Sequence, residues 1–160
     1  DLGKRGKLFA VGEAVPADKL ISHQNYKGRF DPHVWMDPER WSKVVATVRD
    51  HLISISPGDE ASFSANADTY LKRIAEVGTY ARQALSTVPA GKRVLLTAHD
   101  AFNYFGDAYG YEVIGIQGIS TESEAGLSRI KAIVDEIVSR EIGAVFVETS
   151  EADRNIRPVI

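Results

Sequence analysis

Cysteine is absent from the 160 residues. That excludes disulfides, thiolate metal sites and cysteine nucleophiles. Long apolar runs are missing too: no stretch approaches the roughly 18 residues that a membrane-spanning helix needs. The opening run, DLGKRGK, is charged and does not read as a secretory leader. Any targeting segment is therefore expected to lie outside this chain. An excess of charge of either sign is also lacking. The net charge of −3 gives no reason to expect nucleic acid or an anionic membrane as partner. Local catalytic signatures are equally scarce: there is no HExxH pair, no P-loop, no GxGxxG after a strand and no GxSxG elbow. Neither an internal repeat nor a low-complexity tract is present.

What is present reads as a folded protein. With 44% hydrophobic and 26% charged residues, the chain has globular rather than disordered composition. Its length suits one ordinary domain or parts of two lobes. Residues 7–15, KLFAVGEAV, read as a strand, and a polar loop with Asn25, Gly28 and Pro32 follows over 16–32. Asp37 and Pro38 mark a helix start, since the carboxylate caps and proline suits the first helical position. Trp41, Val45, Val48, Leu52 and Ile55 then recur at helical spacing until Pro57-Gly58. A longer helix is expected over 59–88, carrying Phe63, Ala67, Tyr70, Ile74, Val77, Ala81, Leu85 and Val88. At about 1.5 Å per residue it is long enough to act as a spine between two lobes.

The remainder alternates. Strands are expected at 93–98, 112–116 and 144–148, with helices at 100–109 and after a capping box of Thr121 and Glu124. The second of those helices would carry Leu127, Ile130, Val134, Ile137 and Val138, and another helix begins near Ile160. Strand, helix, strand, helix, strand predicts an α/β fold with a parallel sheet.

Four histidines offer the chemistry: His23, His33, His51 and His99. His51 lies within the first helix and reads as a surface or boundary residue; His23 reads as solvated. His33 sits in FDPHVWMDP at a loop–helix junction, stiffened by Pro32 and within reach of Phe30 and Trp35. Such an imidazole suits a metal or a backbone hydrogen bond. His99 ends the strand RVLLTA, where open α/β sheets bind their ligands. Asp100 beside it reads first as a helix cap and otherwise as an acceptor for an imidazole N–H. Glu148 ends the strand AVFVE and is a candidate ligand, orienting acceptor or backbone acceptor. The residues alone reach an α/β protein with a possible histidine-based metal site.

Two long segments add more. FDPHVWMDPERW and LLTAHDAFNYFGDAYGYEVIGIQGIS, in that order and followed by VFVETS, resemble the zinc/manganese-binding proteins of ABC importers, the TroA-like or cluster A-I family. The resemblance implies two parallel-sheet α/β lobes joined by one long helix, with metal held between them. Residues 1–57 would be the end of the N-terminal lobe, 58–90 the connecting helix and 91–160 the first part of the C-terminal lobe. Both lobes would be incomplete in this chain.

By the same resemblance, His33 and His99 are metal ligands and Glu148 is not a primary one; from their positions, Asp100 and Glu148 are candidates to orient the site from behind. The family's other two ligands, a histidine and an aspartate, would lie upstream and beyond Ile160. The chain by itself is thus expected to bind metal weakly. Histidine at position 99, where some relatives carry glutamate, leans towards Zn²⁺, with Mn²⁺ as the alternative. The implied protein is not an enzyme. It is a monomeric extracytoplasmic carrier, periplasmic or membrane-anchored, that delivers the ion to an ABC transporter permease. The rival readings are a metal-dependent hydrolase, with Glu148 or Asp100 as base, and a surface adhesin of the same family.

Overall fold

The computed structural model describes residues 7–23, 27–119, 126–148 and 159. The chain divides into two compact units, Asp1–Gln83 and Ala84–Ile160.

In the first unit, the expected strand at 7–15 is not formed. A short 3₁₀ turn occupies Val11–Ala14 and a second one Ala17–Lys19. The reason is the backbone ledger: a strand needs a ladder partner, and here the bonds close locally. Glu13 N–H donates to Ala10 O, and Val15 N–H to Gly12 O. Val15 is nevertheless buried, so the segment still contributes to the core. The polar loop folds back through an isolated antiparallel bridge between Ser22 and Phe30. Gly28, with φ of 77°, makes the reversal. Asn25 lies outside the described residues. His23 is half-buried rather than solvated, and its N–H donates to Arg29 O.

Helix α1 spans Pro38–Ile55 and begins as the sequence predicts. The Asp37 carboxylate accepts from Glu39 N–H and Arg40, and Arg40 also donates to Lys19 O. The most buried side chain of α1 is Val44, not a member of the predicted stripe; Val48, Leu52 and Ile55 remain partly open. His51 is a boundary residue, stacked on Phe9 with ring centres 3.8 Å apart. Helix α2 spans Glu60–Ser86, 27 residues or roughly 40 Å. Ala67, Ile74 and Gly78 form its buried row, whereas Tyr70 and Val77 face outwards.

In the second unit, α2 stops two residues before the predicted end. Arg93 donates to the carbonyls of Val88 and Ser86, and Tyr111 Oη donates to Leu85 O. These bonds satisfy carbonyls that a helix end leaves unpaired. Strand β1, Val94–His99, pairs in parallel with β2, Glu112–Gln117, and α3, Asn103–Tyr109, makes the crossover. Gly110 closes α3 in the left-handed conformation, φ 70°. Helix α4, Leu127–Ser139, covers the pair. The parallel sheet predicted from the alternating pattern is present.

The core is Leu96, Ala98, Ile114, Ile116, Ile133 and Val159, with Ile130, Val134 and Ile137 packed against it. Ile133, fully buried, was not in the predicted stripe. Leu127 and Val138, which were, are 85% and 72% exposed. Residues 130, 133, 134 and 137 share one helical face. Val138 is rotated off that face, and Leu127 lies in the first turn. The predicted capping box, Thr121 and Glu124, and the helix near Ile160 lie outside the described residues. The third expected strand, 144–148, reduces to one parallel bridge between Thr97 and Phe146, made by Phe146 N–H to Leu96 O at 2.8 Å. Alternating apolar letters signalled a half-buried segment; a strand also needs successive ladder bonds, and here one forms.

Candidate metal centre

His33 is placed from both sides by its own segment. Before it, Asp31 N–H donates to Ile21 O at 2.8 Å. After it, a 3₁₀ turn over Val34–Met36 runs directly into the Asp37 cap of α1. The residue is only 9% exposed. Trp35 meets it edge-on at 5.3 Å, as the aromatic neighbour expected from sequence. Phe30 is instead engaged in the bridge to Ser22.

The imidazole is gripped by Asp31. One oxygen, Oδ1, takes the His33 backbone N–H at 2.9 Å and meets Nδ1 at 2.6 Å. An ionised carboxylate only accepts, so a contact this short suits a hydrogen on Nδ1. Asp31 was not singled out in the sequence. Its signal was there: aspartate side chains often accept from the N–H two residues on.

His99 ends β1 and pairs with Gln117 in the strand register. Its carboxylate partner is Glu148, 49 positions away: Oε1 lies 2.9 Å and Oε2 2.8 Å from Nδ1. Oε1 also takes the His99 backbone N–H at 3.3 Å. The pattern repeats that at His33, a carboxylate clasping both the backbone N–H and Nδ1 of one histidine. Of the two orienting acids expected, the structure brings Glu148 to His99.

Asp100 does not occupy the cap position of the next helix. Helix α3 starts three residues later, after Phe102, with no side-chain cap. The backbone N–H of Asp100 donates to Gly118 O at 3.4 Å instead. Its close approach to β2 depends on Gly115. A Cβ there would stand 2.6 Å from Asp100 N and 2.7 Å from Gln117 O. Both are backbone atoms that cannot rotate aside. Gly115→Ala is therefore expected to cost about 1–3 kcal/mol of stability by overpacking, checked by denaturant titration. An unchanged midpoint would contradict the packing described.

Among the described residues, no three histidine, aspartate or glutamate side chains gather into a group able to hold a metal. The described residues do hold two histidine–carboxylate pairs, and outer carboxylates of this kind are what orient imidazoles that bind metals.

The zinc-uptake complex component A periplasmic family model matches residues 2–160. The chain belongs to this family. Its members among the relatives are metal-binding proteins, not enzymes. The chain is 37% identical over 159 residues to the manganese-binding lipoprotein MntA of Bacillus subtilis, covering 99% of this chain and 52% of that protein. It is 38% identical over 149 residues to the zinc-binding protein TroA of Treponema pallidum, covering 93% and 48%. The solved structure of the periplasmic zinc-binding TroA from T. pallidum superposes with a TM-score of 0.93 at 36% identity, covering 99% of this chain and 56% of that one. The chain thus has the TroA-like fold, and it spans about half the length of the curated relatives it matches.

Proposed function

We propose that this protein captures Zn²⁺, with Mn²⁺ as the alternative cargo, outside the cytoplasmic membrane and delivers it to an ABC transporter permease. His33 and His99 are the ligands this chain contributes, each through Nε2. Asp31 and Glu148 orient the rings. The carrier is monomeric, periplasmic or membrane-anchored, and has no nucleic-acid partner. The segment 58–90 joins the part of the N-terminal lobe in 1–57 to the part of the C-terminal lobe in 91–160.

The observation that carries this reading is the repeated clasp: two histidines, far apart in sequence, each held at N–H and Nδ1 by one carboxylate. Family membership supports it, because the relatives include a zinc-binding and a manganese-binding protein. A hydrolase would need a carboxylate available to activate bound water; the Glu148 oxygens are instead on His99.

Calorimetric titration of the intact protein with Zn²⁺ and Mn²⁺ tests the reading. One site per chain is expected, with zinc the tighter ion, as nitrogen-rich sites and the divalent affinity order both favour. Tighter manganese binding would reassign the cargo. The absence of any saturable site would remove the carrier function.

A further inference from the structure

Asp31 is the most buried acid among the described residues, 1% exposed. A carboxylate so far from water is costly unless it is hydrogen-bonded and paired. The usual task of an aspartate ahead of a helix, capping, belongs to Asp37. Asp31 directs one oxygen to two atoms of His33 instead, the backbone N–H and Nδ1. Pro32 between them keeps Asp31 out of helical backbone angles and stiffens the link.

The consequence concerns the tautomer. In water a neutral imidazole carries its hydrogen mostly on Nε2, the atom a metal would need here. We infer that Asp31 is a positioning residue that imposes the opposite tautomer on His33 and locks its ring before any ion arrives. The inference rests on the reading of His33 as a ligand. With the hydrogen held on Nδ1, Nε2 offers its lone pair without first losing a proton. The ring also has less freedom to lose on binding. The clasp itself spans only Asp31 to His33, and the Asp31 N–H bond to Ile21 O fixes where it sits.

Ring ¹⁵N shifts of the metal-free, labelled intact protein report the tautomer directly. In the wild type, His33 is expected as the Nδ1–H form. Asp31→Ala should convert it to a mixture dominated by Nε2–H, while the signals of His51, in the same unit and stacked on Phe9, stay in place and show that the fold is kept. Zinc affinity should fall about 10–100-fold, as for other orienting partners of metal ligands.

Asp31→Asn keeps an acceptor oxygen and should rescue the tautomer. Its Nδ1–H proton should move upfield, because a neutral acceptor bonds about half as strongly as a charged one. That proton shift decides the matter should the alanine variant fail to fold. An unmoved proton in Asp31→Asn overturns the inference. So do an unchanged tautomer and unchanged zinc affinity in Asp31→Ala; loss of zinc binding in His33→Ala then leaves the ligand reading standing. Full zinc binding by His33→Ala removes the ligand reading and the inference with it.

Discussion

Replacing His33 by alanine is expected to weaken zinc binding on the order of 100-fold or more, above the 10–100-fold range for an orienting partner. His99→Ala should do the same. Each change removes a nitrogen donor and leaves a carboxylate, Asp31 or Glu148, facing the gap. His33→Ala also leaves the buried Asp31 carboxylate without its partner, so that variant should lose stability as well as affinity; His99→Ala, beside the more open Glu148, should change stability less. His51→Ala is the control. That ring stacks on Phe9 and has no carboxylate clasp among its described contacts, so zinc affinity should be unaffected. Calorimetry on the three variants separates the cases. Wild-type affinity in both His33→Ala and His99→Ala would make the clasped histidines structural.

The second large effect lies beneath the site. Leu96→Ala should destabilise the protein by about 2–5 kcal/mol, the usual cost of emptying a buried leucine site. That is a large part of a typical total of about 5–15 kcal/mol. Leu96 is fully buried between β2 and α4, and its carbonyl accepts the Phe146 N–H that sets the 144–148 segment beside β1. Loosening that segment displaces Glu148, two residues on, and with it the clasp on His99. Zinc affinity should therefore fall along with stability, although position 96 touches no ligand. Leu127→Ala, at a residue 85% exposed, should shift stability by no more than about 0.5 kcal/mol. Denaturant titration of both variants gives the comparison, and equal midpoints would contradict the assignment of the core.

Local signals in the sequence translated well into structure. Asp37-Pro38 marked the start of α1 because capping and the missing proline N–H act within one turn. Pro89 and Gly91 marked the end of α2 within two residues. The β1–α3–β2 unit followed from alternating apolar runs and helical spacing. Long-range pairing was less legible. Residues 7–15 and 144–148 have strand-like letters, yet ladder formation depends on a neighbour that the segment's own letters do not specify.

The site divides along the same line. His33 and His99 were visible from their positions at a loop–helix junction and a strand end, and from the family motifs around them. Asp31, two residues before His33, has the spacing of a side-chain turn, but that spacing alone does not say that its carboxylate also reaches the imidazole. Glu148 was placed near the correct sheet edge, and its bond to His99 became visible only when Phe146 was seen to register with Thr97. Asp100 shows the converse: adjacency in sequence suggested a cap, whereas the helix begins further on.

Zinc X-ray absorption on the intact protein at one equivalent of metal tests the central claim most directly. Two imidazole nitrogens from this chain are expected in the zinc shell, at roughly 2.0–2.1 Å. His33→Ala should remove one imidazole from the spectrum, His99→Ala one, and the double variant both. An imidazole count that stays the same in all three variants would show that zinc is held elsewhere and that the two clasped histidines are not its ligands.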